Sequence, residues 1–152
     1  VTTKLYFAYT AHLAPERLAA VTPQAEFLFI AHLPETKLVF PLKDGQWDGG
    51  LPSVQRQSGN TVWGAVFEIP DAAIGSLHDA EMTERRVPSD AFKAVDREGR
   101  SHRVITHVHG EGEDEHPPSR AYMAIVVAGA RHWGLPTGWV AGLEEYVEEP
   151  LF

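Results

Sequence analysis

The sequence predicts an α+β domain with a largely antiparallel, barrel-like sheet, and three observations lead there. Apolar runs rich in Phe, Ile, Leu and Val fill much of the first two thirds, separated by turn-forming residues such as Pro34-Glu35, Asp44-Gly45 and Ser58-Gly59-Asn60. Most strand candidates follow one another at hairpin spacing, and helical patterning is concentrated in the last third.

Residues 4–9 have strand composition, and Pro15-Glu16-Arg17-Leu18 reads as a helix start, with proline in the first turn and an acid beside it. Residues 25–33 and 36–42 read as two strands joined by a tight turn at Pro34-Glu35. The glycine-rich stretch 43–52 reads as loop. Residues 53–57 and 61–69 form a hairpin signal about Ser58-Gly59-Asn60, and Gly64 in mid-strand points to a bulge or to the close approach of another group. A short helix follows over 71–82, with Asp71 placed to cap it. Residues 91–96 and 101–109 read as another hairpin about Arg97-Glu98-Gly99-Arg100, and 110–118 as an acidic loop. Ser119 then caps a helix with Tyr122, Ile125, Val126 and Ala130 on one stripe, and Gly134-Leu135-Pro136 ends it and opens a second helix that runs through Tyr146.

With 152 residues, 43% of them hydrophobic, the chain suits one compact domain over 1–152. Its formal charge of −8 argues against nucleic acid or an anionic membrane as partner, because both need a cationic face. The absence of cysteine excludes disulfides, thiolate metal sites and a cysteine nucleophile. The longest apolar stretch, residues 121–130, is far below the ~20 residues of a membrane-spanning helix, so a cytoplasmic location is expected.

Tyr6-Phe7-Ala8-Tyr9-Thr10-Ala11-His12-Leu13 resembles the Tyr-Gly-Ser-Asn-Leu signature of γ-glutamylcyclotransferase-like proteins, with the flanks matched and the centre replaced by Thr10, Ala11 and His12. The resemblance continues through Trp47-Asp48-Gly49-Gly50-Leu51-Pro52-Ser53, Val62-Trp63-Gly64-Ala65-Val66-Phe67 and Leu77-His78-Asp79-Ala80-Glu81. It closes on Pro118-Ser119-Arg120-Ala121-Tyr122, Gly129-Ala130 and Gly134-Leu135-Pro136. Each motif is moderately specific, and their order and spacing carry the resemblance along nearly the whole chain. It implies a small β-barrel flanked by helices with a pocket at one barrel end.

The chemistry it implies is attack of a γ-glutamyl group's own α-amine on its γ-carbonyl, releasing 5-oxoproline and a free amine. A carboxylate must take the ammonium proton and later deliver one to the leaving amine, because neither an ammonium nucleophile nor an amide-anion leaving group is viable near neutral pH. Glu81 matches the family glutamate and is the expected catalytic residue. Without the motif order it reads first as a surface carboxylate beside Arg85 and Arg86, in an ion pair worth at most ~1 kcal/mol, and its place in the ordered motifs reverses that. Met82 stands where the family has glycine.

The turn Tyr9, Thr10, Ala11, His12 and Leu13 is expected to bind the substrate, its backbone amides meeting the developing oxyanion. A glycine there would allow positive φ, whereas β-branched Thr10 resists it, so this turn either has a different backbone or is strained. His12 is a backbone-bonded histidine or, beside Glu81, an added acid/base or substrate contact. Tyr122 fits both a substrate contact and a tyrosine on the core face of its helix.

His107 and His109 share one strand face, with Glu111, Glu113, Asp114, Glu115 and His116 just beyond, a pattern that suits zinc or iron as well as a solvated acidic loop. No metal and no cofactor are assigned. The expected partner is a small-molecule amide. The alternative is the same barrel repurposed for a non-glutamyl amide or lactam reaction, or for binding without catalysis.

Overall fold

The computed structural model describes residues 2–110 and 114–148. Strand β1 (Thr3–Ala8) is followed by a 3-10 turn (Ala11–Leu13) and helix α1 (Pro15–Val21). Two long antiparallel strands come next, β2 (Glu26–Asp44) and β3 (Gly49–Pro70), then helix α2 (Ile74–Met82). Short strands β4 (Val87–Ser89), β5 (Lys93–Asp96), β6 (Ser101–Arg103) and β7 (Thr106–Val108) precede helices α3 (Arg120–Trp133) and α4 (Thr137–Glu144).

The two hairpins predicted over 25–42 and 53–69 are one long hairpin. β2 and β3 pair from Glu26↔Glu68 to Asp44↔Gly49, so the chain reverses at 45–48, and Gly49 to Pro52 lie in a strand rather than a loop. The expected turn at Pro34-Glu35 is an irregularity. The register steps from Pro34↔Thr61 to Thr36↔Arg56, Glu35 takes a φ of 52°, and Glu35 accepts a hydrogen bond from the Gly59 amide at 2.8 Å. The two turn-forming clusters stand opposite each other, so both strands deform together and the ladder resumes beyond them.

The expected barrel is corrected as well. The main sheet has the order β1-β3-β2-β5-β6, while β4 and β7 pair separately. At the outer edge of β1, Tyr6 and Ile105 form a single parallel bridge, with Ile105 N donating to Leu5 O at 2.8 Å and Phe7 N to Ile105 O at 2.9 Å. One bridge is not a ladder, and β6 is only three residues long. The sheet of the described residues therefore stays open.

Both faces of that sheet are covered. Tyr6 and Ala8 pack with Leu18, Phe67, Leu77, Met123, Val126 and Ala130 beneath the helices, whereas Phe7 and Tyr9 pack with Ala31, Leu33, Val66, Phe92 and Val104. This is the alternation expected of a strand buried on two sides. Gly64 marks a close approach, since a Cβ there would stand 2.4 Å from Ala8 O. Ser119 caps α3 as predicted, accepting from the Tyr122 amide at 3.2 Å, and Gly134 ends that helix at a φ of 74°. Asp71 does not cap a helix. Its amide donates to Thr2 O, and its carboxylate accepts from the Thr2 hydroxyl.

Candidate active site

The 3-10 turn after β1 and the C-terminal end of α2 meet at one carboxylate. Glu81 is 1% exposed, and its two oxygens are engaged from different elements. Oε1 accepts from the Thr10 hydroxyl at 2.9 Å and lies 2.5 Å from His12 Nδ1, and Oε2 lies 3.0 Å from Arg86 Nη1. Thr10 and His12 both come from the divergent centre of the opening turn, so that centre is what grips the glutamate.

The turn achieves this without strain. Thr10 has φ −94° and ψ −162°, an extended conformation open to any residue, and its hydroxyl also accepts weakly from the His12 amide at 3.4 Å. The backbone thus differs from one that needs glycine. The Leu13 amide donates to Thr10 O at 3.0 Å, and the Ala11 amide donates to the Tyr122 hydroxyl at 3.1 Å. From the other side, Leu13 O accepts from Trp133 Nε1 at 2.8 Å. Gly129 of α3 makes room for this, because a Cβ there would lie 2.4 Å from the Leu13 carbonyl carbon.

Arg86 is the residue whose importance the sequence hid. It is fully buried, donates Nε–H to Pro52 O at 2.8 Å, and bonds Glu84 as well as Glu81 through Nη1. Its Nη2 is buried without a hydrogen-bond partner among the described residues. Arg85 at φ 63° turns the chain back after α2, which aims Arg86 inward. The ion pair is therefore buried, unlike the surface pair that composition alone suggests. Burial by itself would raise the Glu81 pKa, but the Arg86 guanidinium and the hydrogen bond and charge of His12 more than offset it and hold the carboxyl well below its usual range.

Tyr122, fully buried on α3, donates to Glu84 Oε1 at 2.7 Å while it accepts from Ala11, so it ties the turn to the Glu84–Arg86 pair. Tyr9 is also buried, and its hydroxyl donates to His107 O at 2.5 Å. Burial raises the hydroxyl pKa of both tyrosines. Tyr9 is thus in the neighbourhood of the site through β7 rather than in contact with Glu81.

His107 and His109 do not converge on a shared ligand position. His107 Nε2 lies 2.8 Å from His78 Nδ1, and His109 Nε2 donates to Glu84 O at 2.8 Å. Burial pushes the His107 pKa down to about 4. Glu111 and Glu113 lie outside the described residues, and among those described no three His, Asp or Glu side chains are grouped to hold a metal. A cavity of about 470 Å³ is lined by Ser53, Val54, Arg56, Phe92 and His109 among others and does not include Glu81. No helix of the described residues is long and apolar enough to cross a membrane.

Known proteins resemble this chain along most of its length. Residues 61–143 match the model of the AIG2-like family. The chain is 32% identical over 139 residues to the γ-glutamylcyclotransferase of Mus musculus, covering 88% of this chain and 73% of that one. It is 31% identical over 137 residues to the Homo sapiens γ-glutamylcyclotransferase, covering 87% and 72%. A solved structure of a γ-glutamyl cyclotransferase superposes with a TM-score of 0.88 at 27% identity, over 99% of this chain and 91% of the other.

Proposed function

Since this chain belongs to the AIG2-like family, we propose that it is a γ-glutamylcyclotransferase-like enzyme, cleaving a γ-glutamyl or closely similar amide by internal cyclisation to 5-oxoproline and a free amine. The observation that carries the reading is the meeting of Thr10 and His12 with Glu81, which joins the opening turn to the glutamate in the last turn of α2 in one hydrogen-bonded centre. The names of the relatives support the substrate class.

The reaction needs a group to take a proton from the α-ammonium and one to protonate the leaving amine. The carboxylate–imidazole pair of Glu81 and His12 supplies both. The oxyanion of the tetrahedral intermediate needs fixed donors, and the amides of Ala11 and His12 suit this role best. Their present acceptors are side-chain hydroxyls, of Tyr122 and Thr10, which a substrate oxygen can displace without breaking backbone structure. Tyr9, Leu13 and Tyr122 shape the walls of this turn.

Release of 5-oxoproline from a panel of γ-glutamyl amino acids and amines tests the proposal, with Glu81→Gln as control. Turnover that survives the substitution removes Glu81 from the mechanism. The occupation of Glu81 by three partners, one of them a buried arginine, favours a second reading in which the scaffold acts on a non-glutamyl amide or lactam or only binds a small molecule. A thermal-shift screen with amides and amino acids separates the two, since a binding module is stabilised by a ligand that it leaves unconsumed.

A further inference from the structure

We propose that the cavity lined by Ser53 to Arg56, Phe92 and His109 binds a small molecule with a carboxylate on an apolar body, and that Arg56 holds the carboxylate. The site stands on geometry independent of the cyclotransferase reading. Its carboxylate has two sources with one chemistry, the amine portion of a substrate or a free ligand.

Val39, Val54 and Phe92, all buried, and Val108 supply apolar walls to this space of about 470 Å³, a size that suits a small molecule. The polar lining is Ser53, Gln55, Arg56 and His109. No Asp or Glu is among the described lining residues, although the chain has 21 of them and a formal charge of −8. An acidic protein that keeps carboxylates away from one cavity leaves it open to an anion.

Two of the polar groups are already engaged. Ser53 Oγ accepts from the His109 amide at 2.9 Å, and His109 Nε2 donates to Glu84 O at 2.8 Å. Arg56 differs, because it is exposed and has no carboxylate partner among the described residues. Its Nη2 donates to Ala91 O, and its Cζ lies 5.2 Å from the centroid of the Phe92 ring. These two contacts fix the plane of the guanidinium, and a guanidinium has five N–H donors in a fork that matches a carboxylate. Arg56 and Phe92 also line a neighbouring cavity of about 280 Å³ together with Lys93, again with no described acid in the lining. Within the larger cavity Arg56 is the one permanent cation of the described lining, which suits a monoanion better than a phosphate dianion. The apolar walls take the body of the ligand.

One wall of the cavity backs on the Glu81 centre. His109 bonds to Glu84 O, and Pro52, next to Ser53, accepts from Arg86 Nε. The amine portion of a γ-glutamyl substrate is thus one source of the carboxylate, since a leaving amino acid carries one and a leaving alkylamine does not.

The experiment titrates wild type, Arg56→Gln and Arg56→Lys with N-acetylleucine and 3-phenylpropionate, and with the primary amides of both acids, by ¹H–¹⁵N NMR. Saturable shifts of the Val54, Gln55 and Val108 amides are expected with at least one acid. Its amide, and Arg56→Gln with the acid, should bind at least about tenfold more weakly, the factor that a charge-assisted hydrogen bond supplies. Arg56→Lys should fall between, because it keeps the charge and loses the fork. Amides remote from the cavity report that each variant keeps its fold. Shifts that saturate with neither acid, or affinities within about threefold for acid and amide or for wild type and Arg56→Gln, overturn the site. Release of 5-oxoproline from γ-glutamylleucine and γ-glutamylisopentylamine, which lacks only the carboxylate, then separates the sources. A preference for the first in kcat/KM that shrinks in Arg56→Gln supports the substrate as the source. Equal kcat/KM on the two, with the acids still bound, overturns that source and supports a free ligand. No turnover of either removes the cyclotransferase reading and leaves the carboxylate site standing.

Discussion

Arg86 and Glu81, five residues apart, form an ion pair with both side chains fully enclosed, 3.0 Å between Nη1 and Oε2. Such a pair gains little over apolar side chains of the same volume, yet breaking it strands a charge in the core. Arg86→Met is therefore expected to destabilise the protein by about 3–5 kcal/mol, and Arg86→Met combined with Glu81→Gln by clearly less. Urea denaturation of the two variants and wild type measures the difference. Equal losses in both would mean that the pair is not coupled.

Acid should weaken the fold in a window set by His107. Its pKa falls from 6.5 to about 4 in the folded protein because burial disfavours the imidazolium. Between these values the unfolded chain binds more protons, so stability is full above pH 6.5, declines towards pH 4 and then levels off for this group. Glu81, also held low in the fold, adds a further loss below its ordinary range of about 4.3. Urea midpoints taken from pH 7.5 to pH 4 should show the first decline, and His107→Gln should make it shallower, the remainder coming from His78 and His109, whose pKa burial also lowers.

Arg85 occupies the left-handed region at φ 63° while its side chain is exposed. A residue with a Cβ costs roughly 1 kcal/mol there and glycine does not. Arg85→Gly should accordingly raise stability by up to about 1 kcal/mol with activity unchanged. A lower melting temperature would show that the arginine side chain supplies more than the backbone costs.

Gly129→Ala pushes a methyl to 2.4 Å from the Leu13 carbonyl carbon, against backbone that has little room to shift. A loss of about 1–3 kcal/mol is expected, together with lower activity because the 3-10 turn moves. Gly142→Ala on α4 meets open space and serves as the comparison. Similar melting points for the two would contradict the close approach of α3 to the turn.

Much of this was legible in the chain, and the misses have physical reasons. Strand β1, the start of α1, the Ser119 cap and the Gly134 stop depend on local chemistry and fall where propensity and capping place them. The split of β2 into two strands failed because Pro34-Glu35 and Ser58-Gly59-Asn60 are read singly as reversals. Only pairing shows that they lie opposite each other and deform the ladder in concert. Barrel closure depends on which edges meet, and among the described residues a single bridge, Tyr6 to Ile105, joins the outer edge of β1 to the segment beside it. The meeting of the opening turn with Glu81 was expected from motif order, but the hydrogen bond from Thr10 to Glu81 and the burial of Arg86 were not. Nothing in a pair of arginines after a helix distinguishes the exposed one from the buried one, until the positive φ at Arg85 sets which way the next side chain faces.

The bond from the Trp133 indole to Leu13 O also gives the molecule an optical handle. This indole stacks on Phe27 with centroids 4.4 Å apart, and His132 stands edge-on at 4.5 Å. Its emission therefore senses the backbone of the very turn that holds Thr10 and His12. The fluorescence difference between wild type and Trp133→Phe isolates that signal from the other three tryptophans. Any ligand that engages the turn can then be followed by titration before its chemistry is known.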